Sequence, residues 1–283
     1  MDVPPFIRLD AIGKLPGRAV LADVRWYLDG RSGQAAYRDG HLPGAVFVDL
    51  DRWLTGAPTP EGGRHPLPPP DVFSEGMATL GIGDTDTVVA YDDAGGVIAA
   101  RLVWMLRVTG RRAAVLDGGL SAHPGDLTTE EPHVARGDFS VRPWPSEHLA
   151  ELSDLDASTS VVVDARDRER FEGRLGPADL RAGHIPGAVN VPCQATVAPD
   201  GRLLPPDHVR ARFADAGVRS AQEVVAYCGS GIGACHVLLS LEHLGLGRGR
   251  LFVGGWSAYG ANPQLPVETG TAHPVATQHR PPA

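Results

Sequence analysis

The sequence predicts an α/β protein built from two homologous domains, each a mainly parallel sheet flanked by helices. The first observation behind this is that the chain repeats itself. Val20-Leu-Ala-Asp-Val-Arg25 returns as Val161-Val-Val-Asp-Ala-Arg166, and Gly40-His-Leu-Pro-Gly-Ala-Val46 as Gly183-His-Ile-Pro-Gly-Ala-Val189. Val88-Val-Ala-Tyr91 returns as Val224-Val-Ala-Tyr227, and Gly118-Gly-Leu-Ser-Ala122 as Gly254-Gly-Trp-Ser-Ala258. Four matches in one order, each roughly 140 residues apart, define two copies of one unit. The second observation is the alternation of short β-branched apolar runs with helical apolar periods, the pattern of strands covered on both faces. The third is length: 283 residues suit one large domain or two of ordinary size, with chain enough for a core that needs no staple.

Taken in order, Val20–Asp23 reads as the first strand, with Gly40–Val46 a turn leading into the next. Val88–Tyr91 is a third strand, Leu102–Leu106 lies on a helix, and Val115-Leu116 is a further strand ending at the Gly118-Gly119 turn. The glycine pairs imply backbone angles that other residues avoid. Residues 1–125 thus form the first domain. Residues 126–158 carry Pro132, Gly137, Pro143 and Pro145 and read as a linker wrapped over the surface. The second copy spans 159–270, with Val237–Leu241 helical and Leu251–Val253 a strand, and 271–283 is a Pro- and His-containing tail expected to be loose.

Composition excludes several function classes. The net charge of −8 comes without any basic run, which argues against a nucleic-acid surface. Lys14 is the only lysine, so a Schiff base or a P-loop in the body of either domain is ruled out. Three cysteines, Cys193, Cys228 and Cys235, fit reduced thiols better than a disulfide framework. Met1 to Phe6 lack the basic and apolar regions of a secretory signal, and no apolar run is long enough to span a bilayer. A cytoplasmic protein without a membrane partner is expected.

The two copies differ just after the Val-Val-Ala-Tyr strand. The second continues Cys228-Gly-Ser-Gly-Ile-Gly-Ala-Cys235-His236, the first Asp92-Asp-Ala-Gly-Gly-Val-Ile-Ala. A cysteine at the carboxyl end of a strand, opening a Gly-rich loop into a helix, is placed to be a nucleophile. Successive N–H groups and the helix N-terminus stabilise a thiolate, the reactive form. The competing reading is a buried structural cysteine in a turn. Phosphatase chemistry needs an arginine six positions after the nucleophile, where this chain has Ala234. Zinc on Cys228, Cys235 and His236 would need unusual spacing, so no metal is expected. Cys235 and Cys193 read as core and structural residues. His41 and His184 occur in both copies, including the one without a nucleophile, which gives them turn-building roles.

With these motifs in view, the chain resembles the tandem-domain rhodanese sulfurtransferases over about residues 5–268. The resemblance implies that the first domain is non-catalytic, with Asp92 at the nucleophile position, where its charge would repel an anionic substrate. Thiosulfate enzymes of the family resemble Cys-Arg-Lys-Gly-x-Thr, and 3-mercaptopyruvate enzymes Cys-Gly-Ser-Gly-x-Thr. Cys228-Gly229-Ser230-Gly231-Ile232 matches the second pattern, whereas Gly233 replaces the family's Thr. The resemblance places a substrate-anchoring arginine at Arg170, whose guanidinium suits a carboxylate. For a second arginine it leaves Arg174 or Arg181, either of which also reads as a solvated surface residue. It further implies a proton relay of Ser230, His65 and Asp51, the alternative being that the last two are ordinary loop residues. The expected reaction passes sulfane sulfur from 3-mercaptopyruvate through a Cys228 persulfide to a thiol, cyanide or protein dithiol, without a cofactor. The alternatives are thiosulfate as donor and a non-catalytic persulfide carrier or anion-binding module.

Overall fold

The computed structural model describes residues 3–175 and 179–271. The first sheet contains β1 (Phe6–Ile7), β2 (Ala19–Asp23), β3 (Val46–Phe47), β4 (Thr87–Tyr91) and β5 (Arg112–Leu116), in the order β1-β5-β4-β2-β3. The second contains β6 (Val161–Asp164), β7 (Val189–Asn190), β8 (Val224–Tyr227) and β9 (Arg250–Leu251), in the order β7-β6-β8-β9. All neighbouring strands pair in parallel. Strand for strand the two orders agree. The place of β1 is taken in the second domain by Leu149, which bridges Leu251 in parallel. The helices of the first domain are α1 (Gly33–Asp39), α2 (Pro70–Thr79) and α3 (Ala99–Val108). Those of the second are α4 (Arg168–Glu172), α5 (Pro206–Asp215), α6 (Gly233–His243) and α7 (Gly255–Tyr259). Both α2 and α5 open on a proline at the first helical position, where the missing N–H costs nothing.

The repeated motifs meet at one corner of each domain. Asp23 at the end of β2 holds Arg25 in a buried ion pair of 2.8 Å, and Arg25 Nη2 donates to Gly40 O at 2.7 Å. Asp164 and Arg166 do the same at 2.6 Å, with Arg166 Nη2 donating to Gly183 O at 2.8 Å. His41 stacks on Tyr37, and His184 on Phe171, each with 3.7 Å between ring centroids. The tyrosines ending β4 and β8 close the corner, accepting the N–H of Leu42 and of Ile185. The sequence signature is therefore a pinned turn.

The glycine pairs follow the expectation in part. Gly118, Gly119 and Gly255 have positive φ, but Gly254 is helical at −59°. The second glycine of each pair carries the constraint. A Cβ on Gly119 would stand 2.3 Å from Asp92 O, and one on Gly255 2.7 Å from Cys228 O. Each pair thus lets a turn lie directly on the residue at the nucleophile position.

Residues 126–158 cross the first domain before entering the second. Thr128 pairs with His41, Asp84 N donates to Asp138 O, and Trp144 Nε1 donates to Pro68 O at 2.8 Å. The domains meet along α3 and α6, whose apolar faces share one continuous core. Arg107 and Glu242 form an ion pair of 2.7 Å across that seam. The tail expected at 271–283 lies, beyond Thr271, outside the described residues.

Candidate active site

Cys228 follows β8 directly and is 7% exposed. The carbonyls of its loop are tied outward. Cys228 O accepts from Trp256 N at 2.7 Å and Gly229 O from Ser257 N at 2.8 Å, both from α7. Gly231 O accepts from the Arg101 guanidinium at 3.3 Å and from Cys235 Sγ at 3.2 Å. In a trans peptide the N–H opposes the C=O, so the N–H groups of Gly229, Ser230 and Ile232 turn to the other side, into the loop. That arrangement is an anion cradle at the mouth of α6.

The first domain shows such a cradle filled. The Asp92 carboxylate, fully buried, accepts the N–H groups of Ala94, Gly96, Ile98 and Ala99 at 2.7 to 2.8 Å. Burial pushes its carboxyl above the ordinary range, and the four amides pull the other way. The sequence leads one to expect repulsion of an incoming anion by Asp92; in the structure the side chain itself occupies the turn and takes its amides.

Ser230 Oγ lies 2.7 Å from His65 Nδ1, so the loop serine of the second domain meets a histidine of the first. Burial lowers the His65 pKa to about 4, with the Arg64 and Arg101 charges adding to the effect, and the ring is neutral near pH 7. Asp51 stands apart from this pair. Its carboxylate accepts the Trp26 indole N–H at 3.1 Å, and Trp26 meets the His65 ring edge to face at 5.3 Å between centroids. No hydrogen bond or ion pair joins Asp51 to His65, because the π-helical turn Leu50–Leu54 aims the carboxylate at the indole. In place of a direct triad the structure has a Ser–His pair braced by Trp26.

Arg170 projects from α4 to the loop. Its guanidinium grips Asp179 at 2.5 and 2.6 Å, and Nη2 lies 3.1 Å from where a Cβ on Gly229 would stand. Arg64 Nη2 lies 3.5 Å from the same point, and its own backbone N–H is held by Ser257 Oγ at 3.0 Å. Burial, then the neighbouring Arg170 charge, lowers the Arg64 pKa, while the charges of Cys228 and Asp179 raise it. Two guanidinium groups, one from each domain, therefore converge beside Gly229. The candidates expected for the second arginine lie elsewhere. Arg174 is exposed and pairs with Glu169 at 3.3 Å, and Arg181 donates to Asn262 O and Leu265 O. The residue missed is Arg64; its adjacency to His65 in the sequence was the available signal.

Gly233 opens α6 against Cys193. A Cβ there would come within 3.1 Å of Cys193 Sγ and 3.6 Å of Val97 Cγ1. The room a threonine side chain would take is thus already held by a thiol. Burial, reinforced by the Cys228 charge, pushes the Cys193 pKa to about 12, and burial pushes Cys235 to about 12 as well. Both stay protonated near neutral pH.

Comparison with known proteins gives the family and the fold. The rhodanese-like domain family matches residues 12–123 and 146–262. A probable 3-mercaptopyruvate sulfurtransferase of Pseudomonas aeruginosa is 40% identical over 264 residues, covering 89% of this chain and 92% of that one. A putative thiosulfate sulfurtransferase of Mycobacterium tuberculosis is 37% identical over 260 residues, covering 89% and 91%. The solved 3-mercaptopyruvate sulfurtransferase from Leishmania major superposes with a TM-score of 0.81 at 28% identity, over 92% of this chain and 74% of that one. With two matched domains and a relative 40% identical over most of its length, the chain belongs to the rhodanese-like sulfurtransferase family.

Proposed function

We propose that the protein transfers sulfane sulfur from 3-mercaptopyruvate to a thiol or cyanide acceptor through a Cys228 persulfide, releasing pyruvate. The observation that carries this reading is the 2.7 Å contact between Ser230 and a neutral His65 beside the nucleophile, an acid–base pair that a carbon leaving group needs. Arg64 and Arg170 hold the substrate carboxylate at Gly229. The Cys228 thiolate attacks the substrate sulfur, and the electrons of the breaking carbon–sulfur bond pass into pyruvate enolate. The substrate's own S–H proton stays on the terminal persulfide sulfur. Ser230 protonates the enolate to pyruvate and recovers its proton from water through the neutral His65 ring, which gives up a proton at one nitrogen and takes one from water at the other. In the second half-reaction a small thiol, cyanide or a protein dithiol removes the outer sulfur and restores the thiolate, a ping-pong cycle. Three unpaired cysteines suit a reducing, cytoplasmic setting, and among the described residues no helix is long and apolar enough to cross a membrane.

Thiosulfate is the second reading, and one observation favours it. The loop carries no cation of its own, but the guanidinium groups of Arg64 and Arg170 stand beside it, with Asp179 offsetting part of their charge, and could take a small dianion. The test is sulfur transfer to cyanide from the two donors side by side, with Cys228→Ala as blank. Preference for 3-mercaptopyruvate, abolished in the blank, is expected. Preference for thiosulfate would replace the donor, and turnover of neither would leave a persulfide carrier.

A further inference from the structure

Arg101 lies in the first turn of α3, in the non-catalytic domain, and is fully buried. Its guanidinium donates to three main-chain carbonyls and to no carboxylate among the described residues. It reaches Leu54 O at 3.4 Å, His65 O at 3.1 Å and Gly231 O at 3.3 Å. Burying a guanidinium without a carboxylate is costly, and an apolar side chain of the same length would avoid that cost. The charge therefore acts through what its donors hold. Leu54 ends the turn that carries Asp51, His65 partners Ser230, and Gly231 is the third residue after the start of the nucleophile loop. Gly231 holds a left-handed turn at φ +79° that passes close to Val253 O, where a Cβ would come within 2.7 Å, so its carbonyl sits at a bend that only glycine can make there.

We propose that Arg101 is a positioning residue for sulfur transfer, pinning the carbonyls of His65 and Gly231 to one rigid group so that the Ser–His pair and the nucleophile loop keep their spacing across the domain seam. On this account the domain without a nucleophile is a working part of the active site. The proposal rests on the reaction proposed above.

The test uses the full chain with Arg101→Met, which keeps the length and removes every donor, and Arg101→Lys, which keeps the charge. Three quantities are read: the single-turnover rate of persulfide formation on Cys228 from 3-mercaptopyruvate, the rate of release of that sulfur to cyanide, and the titration of 15N-labelled His65. Arg101→Met is expected to slow persulfide formation by about 30-fold or more, since displacements near 1 Å cost up to about a hundredfold. Release to cyanide changes by less than about threefold, and the His65 midpoint rises from about 4. Arg101→Lys restores the midpoint while the rate remains depressed. Persulfide formation within about threefold of wild type in folded Arg101→Met overturns the proposal, as does equal loss in both half-reactions that tracks thermal stability. If Arg101→Met fails to fold, Arg101→Lys decides, and a near-wild-type rate in it overturns the proposal. If the unaltered protein forms no persulfide from 3-mercaptopyruvate, the reaction fails separately. The positioning is then judged by iodoacetamide alkylation of Cys228 and by the His65 midpoint, and no change in either for Arg101→Met overturns it.

Discussion

In the proposed mechanism His65 and Ser230 act only on the step in which carbon leaves, because the second half-reaction moves sulfur between sulfur and an acceptor and makes no enolate. His65→Ala is therefore expected to slow persulfide formation from 3-mercaptopyruvate by about 10²-fold or more, the usual scale of general acid–base catalysis. Discharge of a preformed persulfide to cyanide should change little. Equal slowing of both steps in rapid-mixing kinetics would sink the relay. Asp92 makes a second residue-scale case. Its carboxylate satisfies four amides that otherwise lie in a buried turn, and an asparagine offers a single acceptor oxygen and an amino group facing two donors. Asp92→Asn is expected to lower the unfolding free energy by about 2–4 kcal/mol in urea denaturation, because each unsatisfied buried donor costs about 1–3 kcal/mol. A change below about 0.5 kcal/mol would mean that the turn finds other acceptors. Cys228 and Arg170 stand out in the sequence as candidates because a local motif surrounds each. Arg64 and Arg101 do not, since one sits in a Pro- and Gly-rich loop and the other in an ordinary helical period. The roles proposed for both depend on contacts across the domain seam.

At the scale of the element, the mouth of α6 shows how a departure from the family pattern is accommodated. Gly233 removes from the nucleophile loop the hydroxyl and the stiffness that the family's Thr would give it. The structure puts Cys193 Sγ in the space of that side chain, supplied by the 3-10 turn Cys193–Thr196. Nothing local relates two residues 40 positions apart in the sequence, so Cys193 read simply as structural. The geometry makes the pair interdependent. Gly233→Thr alone has to displace the thiol and is expected to cost about 1–3 kcal/mol, the range for overpacking a filled core. Adding Cys193→Ala should recover at least half of that loss, whereas Cys193→Ala alone leaves a small void. Chemical denaturation of the two single variants and the double variant measures the coupling. Additive losses would show that the two side-chain positions do not compete for the same room.

At the scale of the molecule, the duplication made the fold legible. Two like domains with mainly parallel sheets, turns at His41 and His184 and, in part, the Gly-Gly turns could be read from motifs present twice, whereas the strand order could not. How the halves dock was not legible, because α3 and α6 read as two amphipathic helices with no sign that they face each other. That seam holds histidines in unusual surroundings. On α6, His236 is fully buried, neither ring nitrogen has a hydrogen-bond partner of good geometry among the described residues, and the ring meets Phe6 of β1 edge-on at 5.3 Å between centroids, as His243 does at 5.5 Å. Burial lowers the His236 pKa to about 4, as it does for His65, and also lowers His243. A depressed histidine pKa means that the unfolded chain takes up protons first. The stability these groups contribute is thus complete above about pH 6.5 and drains away as the pH falls toward 4. At about 1.4 kcal/mol per pH unit, His65 and His236 should each remove roughly 2 kcal/mol between pH 6.5 and 5, before most carboxylates titrate. Urea unfolding at pH 7, 6 and 5 is expected to show this slope, and His236→Leu should reduce it by somewhat less than half, leaving the part due to His65 and smaller parts due to His243 and His148, whose pKa values burial also lowers. Parallel slopes for the wild type and His236→Leu would mean that the buried ring at the seam is protonated without opening the domains.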